Sequence, residues 1–397
     1  MKPLRHPRRA PALATLLCLS AFGASAHPWS YDDVAVFHAP QGDQLTAGVT
    51  RGADGLLYGT AALGGAHGAG SVYRIEADGS ITVLHSFADD WSEGSNPTAG
   101  LLLAADGWFY GGTAWGTGPA GRNGTIFKIS PAGEFVQLYA FSGADRGPSY
   151  TLAQDAAGNL YGNVVDDVYD AIFKMTPDHQ VTILHRFTGQ ADGGNPAGPL
   201  LVGADGTLYG NGDASPNEGT GWFVRCGEVF ALSPAGDVHV LHNFLNPPAH
   251  QDGCYPMGAL AVGNDHRLYG TTFGWGRDDH PWGGVFSLSL DGDFTITHDF
   301  TTDDPLGYRP QGGLVADANG ALYGTTSAGG AHGEGTVFSL SPKGQVRKVL
   351  HAFERFGAMD GGGPAAAPTV LPDGSLAGTA EKGAKSGTGA VYTLTPR

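Results

Sequence analysis

The chain has 397 residues, 65 of them glycine, with 15% charged residues and a formal net charge of −16 at pH 7. A balance that acidic repels phosphate backbones and argues against nucleic acid as a partner. Helix formers are scarce and glycine abundant, which predicts an all-β chain of short strands joined by tight turns.

The first residues read as a targeting segment. Lys2, Arg5, Arg8 and Arg9 form a basic stretch, residues 12–23 are apolar but too short to span a bilayer, and Ala24-Ser25-Ala26 is a small-x-small cleavage site. Residues 1–26 are expected to be a signal peptide and residues 27–397 a single secreted or periplasmic domain. Arg8-Arg9 fits twin-arginine export poorly, and Leu17 before Cys18 does not suit a lipid-anchor site. Cleavage removes four of the 22 basic residues and none of the 38 acidic ones. No later apolar run reaches the length of a membrane helix.

The mature chain begins with an isolated strand pattern, Asp33-Val34-Ala35-Val36-Phe37, and then repeats. Tyr-Gly recurs at Tyr58-Gly59, Tyr110-Gly111, Tyr161-Gly162, Tyr209-Gly210, Tyr269-Gly270 and Tyr323-Gly324, with a degenerate Ala377-Gly378, at intervals of 48 to 60 residues. The second unit shows the grammar. An apolar stretch (98–105) meets an Asp106-Gly107 turn, and a second strand carries Tyr110-Gly111. After a polar loop come a third strand (124–130), a Pro131-Ala132-Gly133 turn and a fourth strand ending at Phe141. The Asp-Gly hairpin signal returns at Asp54-Gly55, Asp205-Gly206 and Asp373-Gly374. Four-stranded sheets apolar on both faces must stack, and seven of them predict a β-propeller with four antiparallel strands per blade. The last unit ends where its fourth strand is due. The N-terminal strand, residues 31–38, is therefore expected to pair with the last blade, 364–397, and close the ring.

Units such as Asp205-Gly206-Thr207-Leu208-Tyr209-Gly210, and Leu322-Tyr323-Gly324-Thr325-Thr326 followed by Gly333-Glu334-Gly335-Thr336-Val337-Phe338, resemble the GloVer tandem repeat of the choice-of-anchor secreted bacterial proteins. The resemblance covers essentially the whole mature chain and implies an exported repeat protein with a propeller-like fold. It implies no activity and carries over no catalytic residue. Residues 163–170, which lack the Gly-rich loop, and Ala377 depart most from the pattern.

The second-to-third-strand loops and the inter-blade loops share one face and converge on a central funnel, where binding residues of repeat scaffolds usually sit. The longest interval falls around blades four and five. Trp222, Arg225, Trp275 and Trp282 there, with Tyr308 and Trp115 opposite, offer flat apolar faces and a guanidinium, as sugar rings prefer, and are the candidate substrate-binding residues. Trp91, Tyr150 and Tyr169 lie in other loops of this face, where packing is the plainer role. Cys226 and Cys254 are expected to form a disulfide across the same loops, because neither shows zinc-ligand spacing.

The histidines divide into two groups. His85, His185, His242, His298 and His351 recur at one fourth-strand position and so cannot converge on one site. His67 and His332 share a repeated Gly-Gly-Ala-His-Gly loop. His250 and His280 belong to no repeat position. With Tyr255 and Arg277 they make the candidate catalytic set: a guanidinium to neutralise a uronate, a base for its C5 proton and an acid for the leaving oxygen. Hydrolysis would instead use two carboxylates, for which the acidic loops offer several candidates. Asp89-Asp90 with Glu93, Asp166-Asp167-Asp170, Asp278-Asp279 and Asp303-Asp304 would also suit calcium, although no complete calcium-loop pattern is present and no cofactor is required. The sequence therefore supports an exported, monomeric propeller that binds a polysaccharide and in one reading cleaves it, as a lyase or a hydrolase. A non-catalytic glycan- or protein-binding module and a structural surface protein are the alternatives.

Overall fold

The computed structural model describes residues 29–38, 40–117, 123–143, 145–166, 169–213, 225–245, 252–274, 282–341, 343–354, 360–364, 366–382 and 388–397. Seven four-stranded antiparallel sheets follow one another as the blades of a propeller. In blade one the chain runs outward from Thr50–Arg51 through Leu57–Ala61 and Ser71–Ile75 to Ile81–Ser86. The first strands of the blades surround a central channel.

The repeated residues have one packing logic. Asp54 closes its turn by accepting from the Leu56 N–H (3.1 Å) and from the Tyr58 hydroxyl (2.6 Å). Asp106 and Tyr110 (2.8 Å), Asp155 and Tyr161 (2.9 Å) and Asp265 and Tyr269 (2.8 Å) do the same. The glycine after the tyrosine lies under an aromatic ring of the third strand. A Cβ on Gly111 would stand 2.5 Å from Phe127 Cζ, and one on Gly324 2.7 Å from Phe338 Cζ. The motif therefore records a close approach that only glycine allows.

Two further devices tie blade to blade. A side chain of the second strand reaches across to a backbone carbonyl in or just before the next first strand: Thr60 to Ala99 (2.8 Å), Asn211 to Gly258 (3.0 Å), Thr325 to Ala366 (3.0 Å) and Thr379 to Ala47 (2.9 Å). Each fourth-strand histidine presents Nε2 to a carboxylate of the loop leading to the next blade, as His242 does to Asp252 (2.9 Å) and His351 to Asp360 (2.8 Å). Between the sheets, apolar side chains of adjacent blades merge. Tyr58, Val72 and Phe87 of blade one pack with Leu101, Phe109 and Phe127 of blade two, each fully buried side chain contributing about 1.5–3 kcal/mol.

The N-terminal strand, Trp29–Val36, is the outermost strand of blade seven, in register from Trp29 opposite Pro396 to Val36 opposite Ala390. It therefore runs two residues earlier than the sequence predicts. The ring is closed by two ends of one chain, and Tyr31 stacks on His351 of blade six at 4.0 Å. Closure removes the open sheet edges that a linear stack would leave. No helix among the described residues is long and apolar enough to cross a membrane.

Candidate functional site

The central cavity measures about 1090 Å³, and small residues of the first strands and the segments before them form most of its wall. Eleven residues before the tyrosine of the Tyr-Gly pair, or before Ala377 in blade seven, the blades carry Ala47, Ala99, Gly198, Gly258, Gly312 and Ala366. Blade three carries Tyr150 at the equivalent place, by its interval from the Tyr-Gly pair, and this phenol lines the cavity. The preceding blade makes room for the departure: Gly112 stands where the inter-blade threonine would be, because Pro148 packs against it.

Other polar groups gather around Tyr150. Trp115 lines the cavity from the second strand of blade two, Phe109–Thr117, held by paired backbone contacts with Ser95. It is 41% exposed, and the Arg146 guanidinium lies 5.0 Å from its ring. Arg146 is fixed by its own N–H, which donates to the Val165 carbonyl (2.8 Å). Asp170 stands just before the third strand of blade three and Asp213 just after the second strand of blade four. Both are close enough to Tyr150 to act on its titration. Burial, then Asp213 and Asp170, push the phenol up to about 12. Burial likewise raises Asp213, and it lifts Asp170 to about 6; the hydrogen bond from the Asp166 N–H opposes that shift, the charges of Asp166 and Asp213 add to it, and Arg146 opposes it. The Tyr150 hydroxyl has no hydrogen-bond partner among the described residues, so it is open to a ligand. Asn163, which accepts from the Ser149 N–H (3.3 Å), keeps its Nδ2 buried without a partner among the described residues.

The residues singled out from sequence fall differently. His250, His280, Arg277, Trp222 and Trp275 lie outside the described residues. Arg225 begins the third strand of blade four, Arg225–Leu232. Tyr255 occupies a left-handed backbone position (φ 56°) that recurs at Gln44, Asn96, Asn195 and Arg309. Its N–H donates to the Cys226 carbonyl (2.7 Å) and its carbonyl accepts from Phe273 (2.9 Å). Trp282 and Tyr308 pack on each other with centroids 4.9 Å apart, and Arg309 covers the indole at 5.8 Å. Cys226 and Cys254 form the expected disulfide. Trp115 is brought to the channel. Among the described residues no group of three or more His, Cys, Asp or Glu side chains is placed to hold a metal ion. Asp90 and Glu93 instead hold their own loop and His85. Of the cluster around Tyr150, the sequence showed only one loop tyrosine among several and the departure of residues 163–170 from the repeat.

Fold and site together define a closed seven-bladed propeller with one asymmetric wall in its channel. The chain belongs to the Gloeobacter/Verrucomicrobia repeat family, whose model matches residues 30–224 and 220–397. No curated protein matches the sequence. Among solved structures it is similar to a candidate 6-phosphogluconolactonase from Bacteroides uniformis (15% identity, 82% of this chain and 90% of that one, TM-score 0.52). It also resembles a candidate glucose dehydrogenase from Thermus thermophilus (16%, 92% and 100%, TM-score 0.44) and a PQQ-bound aldose sugar dehydrogenase from Streptomyces coelicolor (17%, 75% and 93%, TM-score 0.45). At these identities the likeness is one of fold.

Proposed function

We propose that this chain is an exported propeller that binds a neutral glycan at the mouth of its channel. The observation that carries the reading is Tyr150, an aromatic residue with an open hydroxyl at a position where the other six blades carry alanine or glycine. A sugar ring stacked on the exposed face of Trp115 would set its hydroxyls toward Tyr150, Asp170 and Asp213, which accept hydrogen bonds, and toward Arg146, which donates them. Two carboxylates against one guanidinium, in a chain of net charge −16, favour a neutral sugar over a uronate. Export through cleavage of residues 1–26 agrees with the Cys226–Cys254 disulfide, a bond that persists in oxidising compartments.

Hydrolysis of the same glycan is the second reading, favoured by Asp170. A carboxyl lifted to about 6 stays protonated in mildly acidic medium and so could donate to a leaving oxygen. The test is a titration of the mature protein against neutral and uronate oligosaccharides, read together with new reducing ends and the ultraviolet absorbance of an unsaturated uronide. Heat of binding that disappears in Tyr150→Ala and Trp115→Ala supports the site. Reducing ends that vanish in Asp170→Asn promote it to a hydrolase, and uronide absorbance overturns the neutral-glycan reading.

A further inference from the structure

The channel mouth is one of two places where the described residues leave a tryptophan in solvent. The other is Trp91, 47% exposed, in the loop that joins blades one and two. Its backbone is left-handed, at φ 60°. A bulky side chain there is an outlier that costs on the order of 1 kcal/mol and persists only where the surroundings enforce it.

The surroundings do enforce it. On one side Asp90 accepts from both the N–H (3.0 Å) and the hydroxyl (2.7 Å) of Ser92. On the other, Glu93 Oε1 meets His85 Nε2 (3.0 Å) and accepts from the Ala88 N–H (3.0 Å), while the Glu93 carbonyl accepts from Thr125 (3.1 Å). A loop fastened at both flanks holds an indole outward in a conformation it would not choose. Burial alone does not account for it, because nearly half of the residue stays in solvent.

The same loop leads to the channel. Ser95, four residues past Trp91, forms the backbone bridge to Trp115. Four extended residues and one bridge bound the separation of the two tryptophan Cα atoms at ~20 Å. Both tryptophans stand on the face that carries the loops after the second strands. From this juxtaposition we infer that Trp91 is an outer subsite: the ligand is an oligosaccharide of several rings that runs from Trp115 across the blade one–two loop and stacks a distal ring on Trp91. The inference rests on the glycan reading of the channel mouth, and it adds that affinity grows with chain length because of one residue remote from the channel.

The experiment is isothermal titration of the full mature chain with β-1,4-linked glucose, mannose and xylose oligosaccharides of two and six units. Trp115→Ala is expected to weaken both lengths. Trp91→Ala is expected to weaken the six-unit ligand about fivefold, the effect of losing one stacked ring, and to leave the two-unit ligand unchanged. Trp91→Gly serves as the second variant. Glycine relieves the left-handed strain, so this protein should melt at a higher temperature than the parent and still lose the length dependence. If Trp115→Ala weakens binding while both Trp91 variants bind the six-unit ligand like the parent, the outer subsite is wrong and the channel reading stands. If the parent binds none of the panel at millimolar concentration, both fall.

Discussion

Trp282 packs on Tyr308 at the same two repeat positions that Cys226 and Cys254 occupy one junction earlier. In each case the first residue lies two before the inward end of the third-strand pairing, and the second immediately precedes the left-handed residue, Tyr255 or Arg309. The backbone contact is also shared: the Tyr255 N–H donates to Cys226 and the Arg309 N–H to Trp282. Between blades two and three the corresponding Asn123 donates to the Asp145 carbonyl (2.6 Å). One junction thus uses a covalent bond, one an aromatic pair and one a hydrogen bond.

This equivalence predicts graded costs. The disulfide closes a separation of 28 residues, for which the chain-entropy model gives about 3.5 kcal/mol. The double variant Cys226→Ser with Cys254→Ser should lower the denaturant midpoint accordingly. Trp282→Ala, at a half-buried site, should cost about 2 kcal/mol. Equal midpoints for the disulfide variant and the parent would show that ring closure alone holds this junction.

The Tyr-Gly motif predicts intolerance at its glycine. Gly111→Ala should cost about 2–3 kcal/mol, since its Cβ would meet the Phe127 ring. In blades one and seven the covering rings are Tyr73 and Tyr392, whose buried hydroxyls have no partner among the described residues. Tyr73→Phe should therefore stabilise the protein by about 1 kcal/mol. Thermal unfolding of the two variants separates these signs.

The raised titration of Asp170 makes stability depend on pH. Its folded value, about 6, lies above the ~3.9 of an unfolded aspartate. Between these values the folded state holds the proton and the unfolded state does not, so stability falls as pH rises through the window. Asp170→Asn keeps the amide oxygen that accepts from Asp166 and suits the left-handed backbone at φ 64°. It should add about 1 kcal/mol at pH 7, after allowance for screening, and nothing at pH 3. His351, lowered chiefly by burial, acts oppositely. Its contribution is complete above the ordinary histidine value and is lost as pH falls below it. Urea midpoints measured from pH 3 to 8 would display both arms.

Ring closure predicts that removal of the strand Trp29–Val36 exposes the edge of Ala390–Pro396 along the whole of blade seven. The truncated chain should melt earlier and self-associate, measured by light scattering, because the unpaired edge is a template for another chain.

The repeat was readable because each of its residues answers a local demand. Asp54 and Gly55 make a turn, Tyr58 returns to that aspartate, and Gly59 yields to the ring opposite; the same chemistry recurs every blade and prints a period on the sequence. The closing strand was readable for a related reason, since a unit lacking its fourth strand needs one from elsewhere, although its limits shifted by two residues. The site was not readable in this way. Tyr150 shows in the sequence only as one tyrosine among several, and its meaning depends on alignment with Ala47, Gly198 and Gly312, which become neighbours only when seven blades close on one axis. Asp170 and Asp213 belong to different blades and gain their influence on Tyr150 through proximity that no spacing encodes. Trp282 and Tyr308, attractive as a sugar platform in the sequence, turn toward each other once their loops meet. Local hydrogen bonding and sterics wrote the fold into the chain; convergence of distant side chains in a shared, partly desolvated channel was decided by the tertiary structure alone.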